Sequence, residues 1–409
     1  MNNINYIVKS DKIVTASKSN GSLINGAMVI ENGKIKDIDS YSIIKKRYKG
    51  LEIFDFRSLV ISPALVDCHT HVLEYAPSAV LPITKSSHLM GGVTLLLDAL
   101  SSGITSLGEQ ICGHPKTDFT KSDYLKVIKD LPMDLIFAIA TVPIGLEEIL
   151  FFTGITGSKP IDRMMIANDF IIDELVRLSD YPGENIMINA TPANFQEKYV
   201  PRAGEIVYTQ KDLNKIVNKF HEAGKKIGTH VAGEKSISMA IEAGFDVLHH
   251  AHEITKSQIQ EVKDNNISIV STPLGGTHLT PNSPEEIVNM VSKGINLAIS
   301  TDAYLPPSTK TDWLPFKDNK LVGPDSLMLI SNPSMIKLRN LGLDENEILK
   351  LITLNPAKVL GKSHIFGNLE KGKDANFIVG KGIPGLEITD PKDVLKVFFR
   401  GDKVIDKDN

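Results

Sequence analysis

A chain of 409 residues, 42% hydrophobic and 23% charged, has the composition of a globular protein with room for one large domain and a smaller one. A net charge of −4 leaves no electrostatic footprint for nucleic acid, and the uncharged, largely apolar stretch near Leu135 to Leu146 is too short to span a bilayer. Cys68 and Cys112 suggest no disulfide framework, and the N-terminal segment has no signal-like pattern, so a cytoplasmic protein is expected.

Taken in order, residues 4 to about 60 hold short alternating runs such as YIVKSDKIVTA and AMVIENGKIKDI, the second carrying the Asn-Gly signal of a hairpin. The same texture returns near the end in DANFIVGKG and VLKVFFRGDKVID. Both termini are therefore expected to build one composite β-sandwich, residues 1–61 with 363–409, into which residues 62–362 are inserted. Within the insert, apolar strands alternate with helical stretches: LVDCHTH, GITSLGE, DLIFAIAT, NIMINAT, KIGTHVA, DVLHHAH, SIVSTPL and NLAISTD. Helical periodicity is clearest in KDLNKIVNKFHEAG, EKSISMAIEAG and PEEIVNMVSKG, each closed by a glycine where a C-cap belongs. The α/β alternation predicts a (β/α)8 barrel; the alternative, a doubly wound sheet, lacks a GxGxxG after its first strand.

Chemistry collects at the strand ends. In VDCHTH, alternation puts His69 and His71 on one face with Asp67, and turns Cys68 away into packing. With 11 histidines in the chain, one His-x-His pair is a weak signal. The fifth strand, however, ends in His230, the sixth in His249 and His250, and the eighth in Asp302. In a parallel barrel these ends converge on one face, where imidazoles and a carboxylate make a divalent-metal site. A long segment after the eighth strand, Tyr304 to Gly323, is expected to cover that face, with Trp313 able to line a pocket.

These pieces resemble the amidohydrolase superfamily of metal-dependent hydrolases: SPALVDCHTH, THVAGEKSISMAIEAGFDVLHHA, ISTDA, LITLNPAKVLG and GNLEKGKDANFIVG. The resemblance covers nearly the whole chain and implies one or two divalent metals activating a water. It makes His69, His71, His230 and Asp302 the metal ligands, Asp302 the proton shuttle, and His250 a second-ion ligand or carbonyl polariser. The bridging lysine that many two-metal members carry on the fourth strand has no counterpart in NIMINATPAN, which offers Met187 or Asn189. One ion is therefore expected, zinc first, with iron(II) or manganese(II) as alternatives. Glu109 is the candidate bridge if two ions bind.

The stretch from His230 to His250 looks closest to imidazolonepropionase-related and dipeptidase-like members, although Ala232 replaces a second histidine they often carry. Glu234 follows His230 by four residues, where deaminases often place a glutamate after three. His249 is expected to point away from the metal. His114, His252, His278 and Tyr304, with the Gly275-Gly276 pair, are candidate substrate contacts. The expected activity is hydrolysis of a non-peptide carbon–nitrogen bond, in a cyclic or linear amide of a small molecule. Its rivals are a heterocycle deaminase, a Xaa-amino-acid dipeptidase and a ligand-binding barrel without catalysis. Neither nucleic acid nor membrane is expected as a partner; a homo-oligomer rests on analogy alone.

Overall fold

The computed structural model describes residues 5–77, 84–191, 200–316, 318 and 320–408. The chain starts with three antiparallel strands, β1 (Asn5–Val14), β2 (Ser22–Glu31) and β3 (Lys34–Ser40), followed by the short β4 (Glu52–Asp55) and β5 (Val60–Pro63). The β2–β3 turn is the expected Asn-Gly pair: Asn32 and Gly33 have φ of 52° and 78°, the left-handed conformation that a tight hairpin requires at both positions.

The middle of the chain supplies β6 (Leu65–Thr70), β7 (Ile104–Ile111), β8 (Asp134–Ile139), β9 (Thr141–Gly145) and β10 (Ile149–Thr153). It continues with β11 (Ile186–Met187), β12 (Gly228–Ala232), β13 (Val247–His252), β14 (Ser268–Ser271) and β15 (Leu297–Ile299). β6, β7 and β8 pair in parallel, as do β9, β11, β12, β13, β14 and β15 in that order. β10 is an antiparallel addition to β9 that the alternation did not announce. Between the two sheets, His71 N–H donates to the Ala303 carbonyl (2.7 Å) and Asp302 N–H to the His69 carbonyl (3.0 Å). The first and last strands of the parallel core thus run side by side at the ends that carry the metal-ligating residue types.

β12 and β13 are buried along their whole length, as strands covered on both faces must be. Three helices of this region start on side-chain caps. Thr209, Thr255 and Ser283 each accept from the N–H three residues on, which satisfies donors a helix start leaves free. Glu234–Ala243 ends on Gly244 at φ 86°, the left-handed cap expected of that glycine. The fourth strand is the weak one: only Ile186 and Met187 of NIMINAT pair as strand, and the stretch runs on into residues outside those described. Asparagines substitute for part of its ladder. Asn185 Oδ1 accepts from Gly228 N–H (3.2 Å) and Asn189 Oδ1 from Ala232 N–H (3.0 Å).

The chain then returns through β16 (Phe377–Gly380), β17 (Val394–Phe399) and β18 (Asp402–Asp406). These join the N-terminal strands in one eight-stranded sheet, ordered β18-β17-β16-β5-β1-β2-β3 with β4 also on β1. Its core holds Tyr6, Val8, Ile13, Met28 and Ile30, with Phe377 and Phe398 stacked at 4.2 Å. Ends distant in sequence therefore hold each other, and the parallel core between them is anchored at both of its termini.

Candidate metal centre

His69 and His71 leave the end of β6 on one face, as alternation requires, and their Nε2 atoms lie 3.2 and 3.3 Å from Asp302 Oδ1. Asp302, just past β15, has φ 56°, and His250 in β13 has φ 68°. Both are non-glycine residues held in a left-handed conformation, the kind of local cost that clusters at functional sites. Gly276 lies against the pair from outside: at φ 110°, a side chain on it would collide with Asp302 Oδ2 and the His250 ring.

The residue at the middle of the cluster is one that sequence reasoning missed. Glu184 is fully buried, and each of its oxygens faces two imidazoles. Oε1 is 2.8 Å from His230 Nδ1 and 2.7 Å from His250 Nε2, while Oε2 is 3.4 Å from His69 Nε2 and 3.5 Å from His71 Nε2. Alternation counted back from Met187 would put Glu184 with Ile186 and Ile188, which join the outer apolar core. A turn in which Gly183 N–H donates to the Tyr181 carbonyl (3.0 Å) breaks that phase and brings the carboxylate inward. The available signal was a lone glutamate, in YPGEN, leading into an otherwise uncharged strand.

Charge follows from these contacts. Burial alone would push both acids up, but His69 and its neighbours hold Glu184 and Asp302 well below the ordinary carboxylate range. Burial likewise opposes a charge on His69, yet Glu184 and Asp302 outweigh it and push His69 up to about 9. Burial and the adjacent His230 push His250 down to about 4.

The hydrogen bonds leave the cluster short of positive charge. The Thr272 hydroxyl donates to the Gly275 carbonyl (2.6 Å), so its oxygen accepts from His250 Nδ1–H, 2.6 Å away. With burial and His230 opposing a second proton, His250 then directs its Nε2 lone pair at Glu184 Oε1. Two acceptors at that distance need a proton or a cation between them. The Nε2 atoms of His69 and His230 are buried without a hydrogen-bond partner among the described residues. His69, His71 and Asp302 on one side, and His69, Glu184 and His250 on the other, each bring three ligand atoms within 4.8 Å of one another. Nitrogen and carboxylate donors of this kind suit a divalent transition metal, so the residues present fit one.

The remaining expected residues lie around this cluster. Glu109 was the candidate bridge, but its carboxylate accepts from the Thr70 hydroxyl (2.7 Å), Val72 N–H (3.0 Å) and Leu73 N–H (2.6 Å), so it fastens the turn after β6. Asp67, expected on the face of the paired histidines, accepts from the Thr301 hydroxyl and from the backbone N–H of His69 and Thr301, tying β6 to the segment that carries Asp302. His249 does not point away: its Nδ1 is 2.8 Å from His69 Nδ1, and its Nε2 is 3.0 Å from the Pro182 carbonyl oxygen. Burial, with His69 beside it, pushes His249 well below the usual histidine range.

Cys68 is buried against Ser300, away from the ligands as expected. The His252 ring lies 5.3 Å from that of His250, with Nδ1 2.7 Å from the Thr277 hydroxyl. His114 is one ring farther out, 4.8 Å from Tyr75, which in turn is 6.4 Å from His71. His278 is beside Gly204 and Tyr304 beside Gly323. Glu234 is the first residue of its helix, where a glutamate suits the helix dipole.

The chain is similar to known hydrolases over nearly its whole length. The chain is 22% identical to the imidazolonepropionase of Fusobacterium nucleatum, covering 92% of this chain and 91% of that protein. It is 21% identical to the 5'-deoxyadenosine deaminase of Methanosarcina acetivorans, covering 91% and 83%. A crystal structure of a Xaa-Pro dipeptidase with methionine bound in its active site shares the fold at a TM-score of 0.72, with 17% identity over 98% of this chain and 100% of that one. The Amidohydrolase family model matches residues 60–404, from the strand preceding the paired histidines to the last strand of the terminal sheet. The chain belongs to the amidohydrolase family, and is a hydrolase acting on carbon–nitrogen bonds.

Proposed function

We propose that the protein hydrolyses a non-peptide carbon–nitrogen bond of a small molecule, in a cyclic or linear amide, at a centre with room for two divalent ions. The observation that carries this is Glu184, with one oxygen toward His69 and His71 and the other toward His230 and His250. His69, His71 and Asp302 would hold one ion, and His230 and His250 the other, with Glu184 shared. A single ion was expected because the fourth strand carries no lysine; Glu184 supplies the missing bridging charge from ahead of that strand. Zinc remains the first expectation, and the cytoplasm the expected location.

When bound, such ions lower the pKa of a coordinated water toward neutrality and polarise the scissile carbonyl. The residues of the chain do the rest. Asp302, kept ionised beside His69 and His71, accepts the proton of the attacking water and passes it to the leaving nitrogen. Asp67 and Thr301 fix the backbone on either side of that carboxylate. His252, His278, Tyr304 and His114 lie outward of the ligands, where contacts to a substrate would be made. The parallel strands are read as a (β/α)8 barrel spanning 62–362, with the sheet of both termini as its β-sandwich; the bonds from His71 and Asp302 across the seam support that reading.

Elemental analysis of the purified protein beside its His69→Ala variant tests the centre. Two zinc or similar ions per chain, reduced in the variant, are expected. One ion would return the reading to a mononuclear site, and none after reconstitution would end it. Cyclic and linear amides, aminated heterocycles and Xaa-Pro dipeptides then form the substrate panel, with turnover among the non-peptide amides alone expected.

A further inference from the structure

We infer that His249 is a positioning residue that fixes the proton of His69 on Nδ1 and so keeps His69 Nε2 free to bind a metal ion. Donors, acceptors and burial decide it: His249 is fully buried and neither of its ring nitrogens meets a carboxylate, so the ring is neutral. A backbone carbonyl can only accept, so the 3.0 Å contact with Pro182 O puts a proton on His249 Nε2. The other nitrogen of a neutral His249 is then an acceptor. Its partner 2.8 Å away, His69 Nδ1, must donate. That places a proton on His69 Nδ1, so Nε2, which faces Asp302 and Glu184, is the nitrogen from which a metal ion would displace any proton the two carboxylates hold there.

A metal-ligating histidine ordinarily spends its second ring N–H on a carboxylate, a carbonyl or a water. Here a second histidine is inserted between the ligand and the carbonyl, making a relay from His69 through His249 to Pro182. The relay is rigid because its far end is fixed. The Tyr181 hydroxyl donates to the Cys68 carbonyl (3.2 Å), and Gln110 Nε2 donates to that hydroxyl (2.6 Å). One segment, Tyr181 to Glu184, therefore acts on both sides of the same imidazole: Pro182 holds the orienting histidine, and Glu184 faces the liganding nitrogen.

The inference rests on the metal-centre reading above, and its test separates the two. His249→Asn keeps an acceptor oxygen near the position of Nδ1 and loses the donor to Pro182, whereas His249→Gln keeps a donor that can reach Pro182 and loses the acceptor. Zn2+ affinity is measured by competition with a chelating indicator, beside thermal unfolding of each protein without metal. His249→Gln is expected to bind zinc about 10- to 100-fold more weakly at an unchanged unfolding temperature, with His249→Asn within about 3-fold of wild type. Wild-type affinity in folded His249→Gln, or equal weakening in both variants, overturns the relay. Failure of the wild type to take up zinc overturns the metal reading instead. In that case, or if the variants do not fold, 15N spectra of histidine-labelled, metal-free wild-type protein decide the relay. An unprotonated His249 Nδ1 facing a protonated His69 Nδ1 is expected there, and a proton on His249 Nδ1 overturns the assignment.

Discussion

Glu184 and Glu109 are both fully buried glutamates near the strand end that carries His69 and His71, and they end in opposite states. Glu184 meets imidazoles alone and is held well below the ordinary carboxylate range. Glu109 meets a hydroxyl and two backbone N–H groups, yet burial still pushes it up to about 7. Neutral dipoles do not fully offset the desolvation of a carboxylate, whereas groups able to carry positive charge do. The difference separates a residue built to meet a cation from one built to hold a turn, and it can be tested from either end.

The largest effect is expected at Glu184. Glu184→Gln keeps the shape and removes the charge shared between the two ligand sets, so at least one ion per chain should be lost. Turnover should fall by about 10³-fold or more, as expected when several kcal/mol of charge stabilisation disappears. Metal content and kcat measured on the same preparation check this, and a variant that keeps both would make Glu184 a bystander. Glu109→Gln in the same assay should retain its metal.

Next in size is Gly276→Ala. The φ of 110° suits glycine alone, and a Cβ would lie 2.1 Å from Asp302 Oδ2 and 2.5 Å from His250 Cε1. Relief requires moving the proton shuttle, and a misplacement of about 1 Å is enough for a fall in kcat on the order of 10²-fold. The effect should appear in kcat with metal content retained, which separates it from the loss at Glu184. Near wild-type kcat would show that the loop after β14 moves aside without cost.

What could be read from the sequence divides along the same line as the two glutamates. His69, His71, His230 and His250 lie at or just past the ends of apolar strands, so the strand ends were enough to point to them. The terminal sheet was legible for a similar reason, since ENGK and the late Gly-Asp turn each carry their own hairpin signal. Glu184 was not, because it precedes the regular part of its strand and a turn at Gly183 shifts the phase that alternation relies on. His249 was misplaced by the same rule. Adjacent residues of a strand should face opposite ways, but here a bulge opposite Val231 and Ala232 and the left-handed His250 let both histidines of the pair reach the cluster. The roles of Glu109 and Asp67 depended on N–H and hydroxyl groups from turns that no spacing reveals.

The smallest effect concerns pH, and here the two glutamates should differ in sign. For Glu109 the folded value is about 7 against 4.5 for the ordinary group, so the folded state binds the proton more tightly than the unfolded chain. The stability this contributes is fully present below about 4.5 and is lost as pH rises through 7. Removing one acceptor from a buried, three-bond site costs about 1–3 kcal/mol in Glu109→Gln. The gap in unfolding free energy between wild type and that variant should therefore narrow from pH 4.5 to pH 7, by at most about 3 kcal/mol. Glu184 has a depressed folded value, so its contribution is present above 4.5 and is lost as pH falls below it. The gap between wild type and Glu184→Gln should shrink as pH falls from 5 into acid, the direction opposite to that of Glu109. Urea unfolding of the metal-free proteins across that range measures both gaps. Parallel profiles would mean that the two carboxylates are in the same state after all, and that the contrast between them is geometric rather than electrostatic.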